Sequence, residues 1–303
     1  MGARVRVGTA SWTDETLVKS GRFYPPEAKN PEDRLRFYAT QFDLVEVDSS
    51  YYAIPGERTA AWVERTPADF TFDVKAFALL TGHPAAPRAL PRDLREALPE
   101  AVRAKKGVYP RDLPGDVLGE LWARFASALL PLDSAGKLGA VLFQFPPWFS
   151  PGHQSLAELR ALRARLPQYD IAVEFRSPRW LDESHADRTL DLLRAHDYVY
   201  VAVDEPQGTP RSVPPFYATT NDRLAIVRFH GRNVTDWARR GASVGEKYDY
   251  LYAEAELREW APRARELADQ AAEVHLVFNN CHEDKAVRNA RQMAMLLDVG
   301  PSA

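Results

Sequence analysis

Eight short apolar runs recur along this chain of 303 residues, most of them separated by stretches with helical spacing. The runs cover residues 4–8, 44–48, 70–76, 139–145, 171–176, 198–204, 224–230 and 274–279. Strand and helix alternating eight times predict a parallel sheet with helical crossovers. Eight such units in roughly 250–300 residues match the size of a closed α/β barrel, the (β/α)8 fold of TIM type. The chain, residues 1–303, is therefore read as one barrel domain.

The helix signals lie between these runs. Asn30-Pro31 opens a helix running to residue 41, with proline in its first turn. Residues 57–65 form a second, and Leu118, Leu121, Trp122, Phe125 and Leu129 give apolar spacing over 115–130. Ser155 with Glu158, and Ser184 with Asp187, read as capping boxes. Residues 254–270 and 283–297 are the last two helices. Two units are irregular. Residues 205–222 carry four prolines and no helical pattern, so the sixth unit lacks its helix. Residues 77–114 are too long for a bare connection and read as an insertion: a helix over 91–105, with the rest of the segment free to cover the barrel mouth.

Alternate residues of a strand share a side. One side is apolar throughout: Val45 and Val47; Phe72 and Val74; Val141, Phe143 and Phe145; Val173 and Phe175; Val199, Val201 and Val203; Val227 and Phe229; Leu276 and Phe278. That face is expected against the helices. The other carries Glu46 and Asp48, Asp73 and Lys75, Gln144, Glu174 and Arg176, Asp204, Arg228 and His230, and Asn279, with His275 deeper. Strands buried on both sides normally read as continuous apolar runs. Charges on an inner face are costly unless paired or hydrated, and stability does not demand them. A salt-bridge network explains any single pair, but seven strands agreeing in parity favour a polar mouth at the C-terminal strand ends, where barrel enzymes place their chemistry.

Within this set Glu46, Glu174, Asp204 and His230 are the candidate catalytic acids and bases. Lys75, Arg176 and Arg228, with Arg232 beside them, suit a phosphate or carboxylate on a small anionic molecule. Asp48, Gln144 and Asn279 complete the polar substrate-binding set. Trp12, Trp148, Trp180 and Trp237 follow strands and, with Tyr51, Tyr52, Tyr250 and Tyr252, form an expected aromatic rim for a sugar or a base. For any one of them, packing of a loop onto the barrel is the ordinary alternative. His83 is a further histidine near the third strand.

Other chemistries leave no mark. Glycine-rich phosphate loops and a nucleophile elbow are absent, so no nucleotide cofactor is expected. No zinc-ligand spacing occurs; the carboxylates suit Mg²⁺ or Mn²⁺ better, so a divalent ion is the one metal left open and none is assigned. Cys281, the single cysteine, excludes an internal disulfide and opens the last expected helix, where the dipole would lower its pKa. A net charge of −3 gives no pull toward nucleic acid or an anionic membrane. No apolar run reaches the ~20 residues of a membrane span. The first residues enter a strand without a signal-peptide core, so a cytoplasmic protein is expected.

Several motifs occur in order: Gly8-Thr9-Ala10-Ser11-Trp12, Glu46-Val47-Asp48-Ser49-Ser50-Tyr51-Tyr52, Phe72-Asp73-Val74-Lys75, Phe143-Gln144-Phe145-Pro146-Pro147, Glu174-Phe175-Arg176, Arg228-Phe229-His230-Gly231-Arg232-Asn233, Tyr248-Asp249-Tyr250-Leu251-Tyr252 and Asn279-Asn280. In these the chain resembles the YecE-like family, known mainly as a domain of unknown function. The resemblance implies a TIM-type barrel, like those of endonuclease IV and xylose isomerase, with a conserved polar pocket. Asp48 stands where many relatives have Asn, which adds a negative charge to the mouth. The expected function is a cofactor-independent hydrolase or lyase for a small anionic substrate with a sugar or aromatic moiety. A metal-dependent phosphodiesterase or nuclease, by analogy of fold, and a non-catalytic small-ligand sensor are the alternatives.

Overall fold

The computed structural model describes residues 2–300 apart from residues 238 and 240, so both ends of the expected 1–303 unit lie outside the described residues. The strands are β1 (Arg4–Ala10), β2 (Leu44–Val47), β3 (Thr71–Lys75), β4 (Leu138–Phe145), β5 (Ile171–Phe175), β6 (Tyr198–Asp204), β7 (Leu224–Phe229) and β8 (Glu273–Phe278). Each pairs in parallel with the next, and β8 pairs back onto β1, closing a barrel of TIM type. Around it stand α1 (Pro31–Tyr38), α2 (Arg58–Glu64), α3 (Gly115–Ser134), α4 (His153–Arg165), α5 (Ala186–Ala195), α6 (Glu254–Ala268) and α7 (Lys285–Leu297).

Local chemistry sets the start of α1. The Asn30 side chain accepts the Glu32 and Asp33 amides at 2.9 Å each, and Pro31 occupies the first turn. Two expected caps are displaced. The Ser155 hydroxyl turns back to the Ser150 carbonyl at 2.7 Å, and α4 begins two residues earlier. Ser184 bonds Asp182 at 2.7 Å, and α5 begins at Ala186. The helix expected over 91–105 is two short ones, Arg92–Glu96 and Glu100–Arg103. Pro99 divides them because it lacks an N–H and disfavours helical geometry at Leu98. Between β6 and β7 the described residues form no helix.

The interior has two polar layers around an apolar one. Ala140, Leu142, Ala172, Val199, Val201, Leu224 and Ile226 form a cluster of their own inside β4–β7. Toward the N-terminal ends of β1 and β8, His275 Nδ1 meets Asp73 Oδ2 at 2.9 Å and His275 Nε2 meets Glu273 Oε1 at 3.1 Å. Arg6 joins this layer by pairing with Glu273 and with Asp43. The second polar layer is the mouth. Outside the barrel wall, aromatic rings pack against the helices: Phe229 stacks on Phe278 at 4.4 Å and Phe175 on Trp180 at 4.6 Å. Each such fully buried large side chain contributes about 1.5–3 kcal/mol.

Candidate functional site

The mouth is organised by Arg228, which is fully buried. Its Nε and Nη2 grip Glu46 Oε2 and Oε1 at 2.7 and 2.6 Å, and its Nη1 pairs with Glu174 Oε2. Glu174 Oε1 accepts Gln144 Nε2 at 2.7 Å and His230 Nε2 at 3.2 Å, and Arg176 Nε lies 2.5 Å away. Burial opposes the Glu174 charge, yet Arg176, Arg228 and His230 hold its carboxyl well below the usual range. Burial pushes Glu46 above that range, against the pull of Arg228 and Lys75.

His230 is sealed between two partners. Asn279 Nδ2 donates to its Nδ1 at 3.0 Å, so the ring's proton sits on Nε2 and points at Glu174. Burial, and then the Arg176 guanidinium, hold the imidazole well below its ordinary value, so it is neutral. With both nitrogens engaged, His230 orients Glu174 and does not face the solvent side of the mouth. Gly231 fixes the turn behind it. Its φ is 87°, and a Cβ there would stand 2.6 Å from the Tyr250 Cβ.

Nearer solvent, Lys75 Nζ bonds Asp48 Oδ1 at 2.8 Å and lies over the Tyr51 ring at 4.7 Å. Burial disfavours both charges, but each keeps the other ionised: Lys75 is raised and Asp48 lowered. Arg176 reaches Glu205 Oε2 at 3.2 Å and the Tyr248 hydroxyl at 3.3 Å, and stacks over Trp237 at 5.6 Å. Glu205 also accepts the Val213 amide at 2.7 Å. Burial outweighs the pull of Arg176 and that amide, and raises Glu205 to about 7. After these bonds Lys75 and Arg176 each retain two N–H donors with no acceptor among the described residues.

The structure thus brings together Glu46, Asp48, Lys75, Gln144, Glu174, Arg176, Arg228, His230 and Asn279, with Tyr52 exposed on the rim. It does not bring Asp204 there. The register pairs Val203 with Arg228 and Asp204 with Phe229, so Val203 faces inward and Asp204 outward. Asp204 instead accepts Arg232 Nη2 at 2.8 Å, the Tyr252 hydroxyl at 2.7 Å and Trp260 Nε1 at 2.6 Å. The face of β6 carrying Val199, Val201 and Val203, expected against the helices, is the inner one. Arg232 goes with Asp204 to the outer side.

Four expected rim aromatics also leave the mouth, Tyr252 among them, buried against Phe229 and Phe278 with its hydroxyl on Asp204. Trp12 is buried against Trp62 and Phe72 and donates to the Pro31 carbonyl at 3.2 Å. Trp180 is buried under Phe149 and Phe175. The Tyr250 hydroxyl bonds Glu256 in the first turn of α6 at 2.7 Å. In each case an outward strand position or a helix offers a partner that the mouth does not. Cys281 is not at a helix start, since α7 begins at Lys285. Its thiol donates to the Ala10 carbonyl at 3.0 Å, and burial pushes it up instead of down. Glu205 and Tyr248 are mouth residues that the reading of the strands missed. Bulky Tyr198 and Tyr200 pointing to the helices were the available signal for the parity that turns Glu205 inward.

Among the described residues no group of three His, Cys, Asp or Glu side chains is arranged to hold a metal ion. No helix among them is long and apolar enough to cross a membrane. Residues 6–302 match the family model described as protein of unknown function DUF72. The chain belongs to the DUF72 family. It is 32% identical over 299 residues to the UPF0759 protein YunF of Bacillus subtilis (strain 168), covering 97% of this chain and 95% of that protein. A DUF72 crystal structure from Enterococcus faecalis V583 superposes with a TM-score of 0.78 at 27% identity, covering 97% of this chain and 96% of the other. One from Thermotoga maritima MSB8 gives a TM-score of 0.75 at 31% identity, covering 97% and 99%. These DUF72 relatives span the whole barrel, the strands that carry the mouth included.

Proposed function

We propose that the mouth of this DUF72 barrel is the active site of a cofactor-independent hydrolase or lyase for a small anionic substrate with a sugar or aromatic moiety. The observation that carries this is Arg176, which has unspent donors beside Glu205, a carboxyl raised to about 7 by burial. Lys75 and Arg176 bind the anion, and Glu205 supplies the proton to the leaving group as a general acid near neutral pH. Asp48 tethers Lys75. Glu46, Arg228, Glu174 and His230 form the rigid floor that keeps Arg176 in place. The helix-less 205–222 connection and the 77–114 insertion are the walls of this site.

The test is turnover of purified protein on phosphosugars, sugar acids, nucleotides and aryl phosphates, with Glu205→Gln and Lys75→Met alongside. Glu205→Gln is expected to keep substrate affinity and lose about 10²–10⁴-fold in kcat, the range of general acid catalysis. The fall of parent activity above about pH 7 is expected to vanish with it. Lys75→Met is expected to raise KM. No turnover on any class, or a Glu205→Gln protein as active as its parent, defeats the proposal. Loss of affinity without any turnover to lose would mark a sensor instead.

A further inference from the structure

A second, open cleft lies beyond the rim of the mouth. A cavity of about 470 Å³ lies where the 77–114 insertion meets α3 and α4. Its walls include Leu80, Tyr109, Trp122, Trp148, Phe149 and Leu162. Cavities of about 300–1,000 Å³ with aromatic and aliphatic walls and a few polar groups are the usual form of small-molecule sites. Two cations border it, Arg111 and Arg165, with guanidiniums over Tyr109 at 4.7 Å and over Trp122 at 5.4 Å. Neither forms a salt bridge among the described residues. Trp148 joins this cleft to the mouth. It is 61% exposed, and its ring meets His83 at 5.7 Å. His83 meets Tyr51 at 5.4 Å, and Tyr51 lies under Lys75.

We propose that the cleft is a subsite for a flat aromatic group on the ligand whose anionic end Lys75 and Arg176 hold. The inference rests on the reading of the mouth given above and adds the other half of the substrate. Indole and guanidinium planes favour a ring over a flexible chain, because a ring stacks on them at little entropic cost. The rings of Trp148, His83 and Tyr51 meet edge to face and line the way between the two spaces. The insertion then has a function: it supplies the wall that an aryl group needs and a bare barrel lacks.

Calorimetric titration with inorganic phosphate, naphthyl phosphate and naphthol tests this on the full chain. Ala161→Trp fills the cleft from an exposed position of α4. Naphthyl phosphate is expected to bind about ten-fold tighter than inorganic phosphate. Ala161→Trp is expected to remove that gain and leave phosphate binding unchanged, and Trp148→Ala to reduce the gain. Lys75→Met is expected to weaken both phosphates and not naphthol. If naphthyl phosphate keeps its advantage in Ala161→Trp, the subsite is overturned while the mouth reading stands. If Lys75→Met weakens neither phosphate, the mouth reading fails and the shared site falls with it.

Discussion

Asp204 and Glu205 are neighbours in the chain whose carboxyl groups lie on opposite sides of the barrel wall. Asp204 is clasped outside by Arg232, Tyr252 and Trp260; Glu205 bonds Arg176 inside. Their substitutions should therefore differ in kind. Asp204→Asn is expected to destabilise the fold by about 1–3 kcal/mol, because an amide NH2 in place of one carboxylate oxygen leaves the buried Tyr252 hydroxyl or Trp260 N–H without its acceptor. Denaturant unfolding at pH 7 measures this, and an unchanged midpoint would refute it.

Glu205 should instead show itself in pH dependence. Its folded value of about 7 lies above the ordinary 4.5, so the folded state holds a proton that the unfolded state has lost. Its contribution is complete below pH 4.5 and is lost as the pH rises to about 7. Glu205→Gln is expected to flatten that part of the stability profile. Equal slopes in parent and variant would show that the carboxyl does not titrate there.

Arg228→Met should be among the most damaging single changes in the barrel. It strands Glu46 and Glu174 without their shared cation, at a cost of about 3–5 kcal/mol. Adding Glu46→Gln to Arg228→Met is expected to recover part of this, since one stranded charge is gone. A double variant no more stable than Arg228→Met alone would argue against the pair as the source.

His275 governs the alkaline side. Asp73 and Glu273 overcome its burial and raise it from 6.5 to about 9. A raised histidine stabilises fully below its unfolded value, and the effect fades as the pH climbs to the folded one. Melting temperature is expected to fall between pH 6.5 and about 9, and His275→Gln to remove that slope. An identical decline in the variant would assign it to other groups.

Gly139 has no room for a side chain. A Cβ there would lie 2.5 Å from Asp73 Oδ1 and 2.8 Å from the His275 ring. Gly139→Ala is expected to cost about 1–3 kcal/mol by forcing this layer apart. A near-neutral change in unfolding midpoint would show that the layer yields.

The periodicity of eight strands and their crossover helices is written in local pattern, and eight such units in a chain of this length match a closed barrel. The inner parity of β2, β3, β4, β5, β7 and β8 is equally legible, since the polar side chains of each fall on one face only, down to the single Gln144 of β4 and Arg228 of β7. On β6 the single polar residue, Asp204, faces outward, and only the register with Arg228 shows which side is inner. A one-residue slip exchanges the faces, so local pattern points to Asp204 where the fold turns Glu205 inward. Likewise, no local pattern says that Trp12 and Trp180 turn into the helical layer while Trp148 stays outside. Neighbours brought in from distant parts of the chain decide that, and so does the burial that moves Glu205 toward neutrality: charge type is a property of sequence, but its energy belongs to the surroundings.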